Sequence, residues 1–134
     1  MDIKKILVFG LPGSGKTTFA KKLSINKDIL YFNGDETRSI FHDWDFSIKG
    51  RLRQVNRMKK LCESSNKTSI TDFVCPFDKY RKYYDILVWM DTIKTGRFED
   101  TNKMFEKPEP TSSLIHIKNY DYEDVIKELQ QLIK

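Results

Sequence analysis

Gly10-Leu11-Pro12-Gly13-Ser14-Gly15-Lys16-Thr17 follows the spacing G-x-x-x-x-G-K-[ST], the pattern of a phosphate-cradling loop. Successive backbone N–H groups must converge on an anion there, which needs conformations that only glycine adopts without strain. A helix starting at Lys16 would turn its positive end toward that anion. The expected nucleotide contacts are Gly10, Pro12, Gly13, Ser14, Gly15, Lys16, Thr17 and Thr18. Lys16 is expected to reach the β- and γ-phosphates of ATP, and the Thr17 hydroxyl to take a place on Mg²⁺. Guanine readers of this class carry N-K-x-D, and that element is missing here.

A second group, Asn33-Gly34-Asp35-Glu36-Thr37-Arg38, follows a short apolar run. At the end of a parallel strand it would share the sheet edge where α/β folds bind ligands. Asp35 there can take a proton from an attacking hydroxyl or join Thr17 in holding the metal, and Arg38 can clamp an anionic acceptor. The same residues also suit a plainer arrangement, with Asp35 capping a helix and Arg38 exposed beside it. Asp72 is similarly open between a second metal-side acid and an ordinary strand-end residue. Lys49 to Lys60 holds six basic residues and no acid, which fits either a solvated helix face or one turned toward an anion.

The elements that must position these residues alternate in type. Ile3–Phe9, Ile29–Phe32, Ser69–Val74, Ile86–Met90 and Leu114–Ile117 read as strands. Helices are expected from Lys16, from Lys49 to Ser64, and from Tyr120 onward, where Val125, Ile126, Leu129, Leu132 and Ile133 form an apolar stripe. Thr92–Ser113 reads as irregular. Such alternation predicts an α/β fold: one P-loop domain of the nucleotide-kinase type over residues 1–134, with a parallel sheet of about five strands flanked by helices.

A chain of 134 residues with 39% hydrophobic and 13% aromatic residues can fill one core, and that composition excludes disorder. A net charge of +5 and a pI near 9.1 suit anionic partners. No apolar run approaches a membrane span, and the run from Ile6 to Leu11 is shorter than the apolar part of a secretory leader. Cys62 and Cys75 lack metal-ligand spacing, so reduced, buried thiols in a cytoplasmic protein are expected. His42 and His116 read as structural. Trp44, Tyr83, Tyr84 and Trp89 read as core residues rather than a stacking surface.

Taken together, the phosphate loop, Asn33–Arg38, Phe46-Ser47-Ile48-Lys49-Gly50-Arg51, Gln54 and Arg57 resemble the adenylylsulfate (APS) kinases, which carry G-D-x-x-R, F-S-x-x-D-R and E-N-I-R-R elements. Phe73-Val74-Cys75-Pro76-Phe77 with Arg81 is similar to the family's F-I-S-P-Y segment and its following arginine. Phe98 and Phe105-Glu106-Lys107-Pro108 are similar to its late F-T-G…P-Y-E-x-P stretch. The resemblance implies transfer of the ATP γ-phosphate to the 3′-hydroxyl of adenosine 5′-phosphosulfate. It implies Lys16, Asp35 and Arg97 in catalysis, and Thr17 and Asp35 beside the metal. Asp35, Arg38, Phe46, Arg51, Gln54, Arg57 and Phe77 would hold the acceptor, the two phenylalanines stacking on its base.

Departures from the family are concentrated on the acceptor side. Gln54 replaces an asparagine, Asn56 the first arginine of the R-R pair, Gly50 an aspartate and Asp78 an arginine. Between Thr92 and Phe98 the family has a longer, basic lid, of which Ile93-Lys94-Thr95-Gly96-Arg97 remains, with Arg97 standing in for the lid arginine. The expected partner is a small nucleotide. A nucleic-acid hydroxyl as acceptor, a nucleotide-binding protein without turnover, and a homodimer stay open, and no membrane partner is expected. Lys16→Ala should lower ATP affinity and turnover by about a hundredfold or more, measured by ATP titration calorimetry and phosphoryl-transfer assay.

Overall fold

The computed structural model describes residues 3–26 and 28–133; positions 1, 2, 27 and 134 of the domain expected over 1–134 lie outside them. The chain runs β1 (Lys5–Phe9), α1 (Lys16–Leu23), β2 (Leu30–Asn33), α2 (Gly34–Phe41), α3 (Ile48–Glu63), β3 (Ser69–Asp72), α4 (Asp78–Arg81), β4 (Ile86–Met90), α5 (Glu99–Met104), β5 (Leu114–Ile117) and α6 (Glu123–Leu132). All described strand pairs are parallel, in the order β2-β3-β1-β4-β5. The expected α/β sheet of five strands is therefore present.

Ile6 to Phe9 are wholly buried because β1 is central and covered on both faces, as its unbroken apolar run requires. Successive side chains point to opposite sides. Ile6 and Val8 join Phe19, Leu23, Ile126 and Leu129 under α1 and α6. Leu7 and Phe9 join Val55, Met58 and Cys62 of α3 on the other face. No helix among the described residues is long and apolar enough to cross a membrane.

Three helices go beyond the sequence reading. α2 is set by its cap: the Asn33 side chain accepts from Glu36 N at 2.9 Å, and Thr37 Oγ1 donates to the Asn33 carbonyl at 2.8 Å. Asn33, not Asp35, is thus the capping residue, and Asn-Gly-Asp-Glu has the spacing of a capping box. α5 occupies part of the stretch read as irregular, and α4 is a single turn; neither is long enough to show a period. β3 stops at Asp72 rather than Val74, just before a turn in which Cys75 takes φ 44°.

Strand register places the chemistry. Asn33 pairs with Asp72 across β2 and β3, and Val8 pairs with Asp72 across β1 and β3. The ends of these strands therefore meet at one edge, immediately before the phosphate loop. Phe19 anchors α1 to this sheet, fully buried and edge-on to Tyr122 with ring centroids 4.9 Å apart. Phe19→Ala should cost about 3–5 kcal/mol of stability, visible as a lower urea midpoint.

Candidate active site

Gly13 and Gly15 take φ 87° and 93°, left-handed conformations that close the phosphate loop around its own N–H groups. Gly15 caps α1 without a side chain, so the helix N-terminus opens onto the loop. Lys16 Nζ donates to the Leu11 carbonyl at 3.0 Å. Burial lowers its pKa, Asp72 and then Asp35 oppose that, and Arg97 adds to it. The lysine therefore feels two acids and an arginine brought from three other parts of the chain.

Asp72 is the acid most tightly built in, 2% exposed at the end of β3. Its Oδ2 accepts from Thr17 Oγ1 at 3.0 Å, Tyr31 Oη at 2.7 Å and Asn33 Nδ2 at 3.0 Å. Burial and the bond to Asp72 raise the Tyr31 pKa, so the phenol remains a donor. Thr17 and Asp72 together present hard oxygen atoms of the kind Mg²⁺ prefers. Asp72 is the strand-end acid that the sequence had left undecided.

A cavity of about 650 Å³ opens over this edge. The expected nucleotide residues Pro12, Gly13, Gly15, Lys16, Thr17 and Thr18 line one part of it. Asp35, Arg38, Phe46, Arg51, Gln54 and Arg97 line the rest, together with Asp72. Gly10 and Ser14 lie behind this surface; Ser14 is fully buried, and Gly10 has the Met90 carbonyl at its back. Asp35 is exposed on the first turn of α2 and free of any capping duty.

Three buried polar side chains build the part of the cavity away from the phosphate loop. Arg38 Nη1 donates to the Asp43 and Asp45 carbonyls at 3.0 and 3.1 Å, so it is not the exposed neighbour of the plainer reading. Arg51 donates through Nε to the Phe46 carbonyl at 2.9 Å and through Nη2 to Thr101 Oγ1 at 2.7 Å. Gln54 Nε2 donates to the Gly34 carbonyl at 2.9 Å, tying α3 to the start of α2. Burial lowers the pKa of both Arg38 and Arg51. Gly50 is required here, because a Cβ would lie 2.0 Å from the Asp45 carbonyl.

Arg57 and Phe77 are not brought to the cavity. Asp43 holds Arg57 by an ion pair, with the guanidinium 4.8 Å above the Phe41 ring. Phe77 precedes α4 and packs edge-on against Tyr80 at 6.3 Å. Conversely, Trp44 is 53% exposed and lines the cavity with Phe98, correcting its reading as core. The signal was local: a tryptophan flanked by Asp43 and Asp45 sits in a segment too charged to bury. Trp89, Tyr83 and Tyr84 do pack into the core. His42 ends α2 at φ 51°, and His116 stacks on Trp89 at 4.2 Å.

The short loop before α5 is fastened at the two peptide groups that flank Gly96. Asn102 Oδ1 accepts from Gly96 N at 2.8 Å, and Asn102 Nδ2 donates to the Gly96 carbonyl at 3.0 Å. Arg97 follows directly and reaches the cavity wall. Behind the Cys75–Pro76 stretch of the cavity lining, Arg81 is fully buried and holds the Cys75 and Pro76 carbonyls at 2.8 and 3.1 Å. Its charge rests on Phe9 and Phe105 at 4.3 and 4.8 Å.

A family model described as "Adenylylsulphate kinase" matches residues 3–95. The chain belongs to the adenylylsulphate kinase family. The cytidine diphosphoramidate kinase of Campylobacter jejuni is 29% identical over 85 residues, 60% of this chain and 50% of that protein; the match thus spans half of that relative's length. Among solved structures, the APS kinase of Mycobacterium tuberculosis in complex with AMPPNP and APS superposes with a TM-score of 0.67 at 17% identity, covering 98% of this chain and 95% of that one. A sugar kinase from a Janibacter species gives 0.71 at 15% identity, covering 98% and 94%. At these identities the two structures speak for the fold alone.

Both cysteines are free and buried. Burial pushes the Cys75 thiol up to about 12, so it stays protonated at pH 8 although its segment borders the cavity. The folded protein should therefore resist iodoacetamide at pH 8, with both thiols labelled only after denaturation, as read by intact mass.

Proposed function

We propose that this protein transfers the γ-phosphoryl group of ATP to a ribose hydroxyl of a small anionic nucleotide, adenosine 5′-phosphosulfate being the leading candidate. The observation that carries the reading is the shared cavity: a phosphate loop on one side, and Arg38, Arg51 and aromatic rings on the other, with Asp35 and Arg97 on its walls. Asp35 takes the proton of the acceptor hydroxyl as its oxygen bonds to the γ-phosphorus. The bond from that phosphorus to the bridging oxygen breaks, and ADP leaves with the electron pair. Lys16 and Arg97 offset the negative charge spread over the transferring group. Thr17 Oγ1 and the Asp72 carboxylate would hold Mg²⁺, which when bound supplies charge neutralisation between the phosphates.

A cytidine nucleotide is the second reading, favoured by the likeness to cytidine diphosphoramidate kinase. The two readings share a ribose hydroxyl, anionic groups and a planar base, and differ in which base is held. A transfer assay with labelled ATP should offer adenosine 5′-phosphosulfate, cytidine 5′-diphosphate and single-stranded DNA in parallel. Label on the first supports the leading reading and label on the second supports the alternative. Label on DNA alone, or on none of the three, overturns both. With the acceptor that works, Asp35→Asn should lower kcat by about a hundredfold with ATP affinity little changed, as loss of a general base does. Asp72→Asn should instead raise the Mg²⁺ concentration needed for half-maximal rate.

A further inference from the structure

Two rings of the 43–47 loop face the acceptor half of the cavity, and they are not equivalent. The Phe46 ring is already engaged by two guanidinium groups, Arg38 at 4.4 Å and Arg51 at 5.4 Å. Trp44 lies 6.4 Å from Phe46, tilted by 44°, and 53% exposed. Among the described residues no cation sits over its ring. An indole is also the larger stacking surface, and a nucleobase stacks on any exposed aromatic face.

The loop carrying Trp44 is fastened from both ends of its acidic pair. Asp43 accepts from Arg53 Nε at 3.0 Å and from Arg57. Asp45 accepts from Arg53 Nη2 at 2.8 Å and from Ser47 N at 2.9 Å. Arg38 grips the carbonyls on either side of Trp44, and Gly50 lets α3 close on Asp45. The bonds from Arg53 and Arg57 hold the Asp43 carboxyl below its usual range. Ser47 first, then Arg53, bring Asp45 to about 2. Both carboxylates are thus ionised throughout the neutral range.

We propose that Trp44 is the surface on which the acceptor's base stacks, and that Arg53 and Arg57, through Asp43, position Trp44 rather than touch the acceptor. This deepens the nucleotide-kinase reading, moving the stacking role from Phe46 to a residue without an assigned one. It also accounts for the basic helix α3, whose Arg53 and Arg57 are spent on the loop.

The test reads binding and turnover separately. Tryptophan emission of the wild-type protein is titrated with adenosine 5′-phosphosulfate, cytidine 5′-diphosphate and ribose 5-phosphate. Either nucleotide should quench it, ribose 5-phosphate should not, and Trp44→Phe should abolish the quench while Trp89 still emits. Quenching by the sugar phosphate alone, or by none of the three, overturns the proposal even if turnover is normal. Absence of turnover with a normal quench overturns the kinase reading and leaves Trp44 as a base-binding residue. In steady-state assays Trp44→Ala should raise the acceptor KM about ten- to a hundredfold, with the ATP KM unchanged and Trp44→Phe restoring much of the loss. Asp43→Asn and Arg57→Ala should each raise the same KM, and the double variant should be no worse than the stronger single one. If Arg57→Ala raises it while Asp43→Asn does not, Arg57 binds the acceptor directly and the positioning role fails. If Phe46→Ala raises it and Trp44→Ala does not, the stacking assignment fails.

Discussion

A single carboxylate oxygen, Asp72 Oδ2, gathers donors from α1 and from two positions of β2. A charge this deeply buried is tolerable only when several hydrogen bonds compensate its lost hydration. Those bonds fix the phosphate loop's helix relative to the sheet edge, and through Asn33 they fix the start of α2. Asn33 serves twice, since its Nδ2 reaches Asp72 while its Oδ1 caps the helix that carries Asp35 and Arg38. Asp35, Asp72 and the phosphate loop are therefore mechanically one unit.

What this unit faces is built differently. Its opposite wall is shaped by arginines used as struts: Arg38 and Arg51 line it, Arg81 lies behind its Cys75–Pro76 segment, each holds at least one backbone carbonyl, and all three are buried. The planar guanidinium has several donors in a fixed fork, so one side chain can brace two carbonyls at once. In a chain of 134 residues with limited core, such struts shape loops that apolar packing alone leaves unsupported.

The parts legible in the sequence were those with local signatures. A glycine pattern revealed the phosphate loop, and unbroken apolar runs revealed β1 and β4. α2 was written in Asn33 and Glu36, but its eight residues gave periodicity little to work on. Asp72 stayed ambiguous because its partners lie 55, 41 and 39 positions away, a relation that only the parallel register creates. Arg57 illustrates the opposite difficulty. Its place in the helix matched a resemblance, while the acid that holds it, Asp43, sits 14 residues earlier in a loop with no pattern of its own.

The Asn102 amide copies the donor and acceptor of a peptide group and so stands beside Gly96 as a neighbouring strand would. A long lid that folds over its substrate gives up conformational freedom at every cycle. An arm this short, closed on itself by one asparagine, has already lost most of that freedom when the chain folds. In the proposed role of Arg97, the entropy of ordering that side chain's loop is charged once to folding rather than to each turnover.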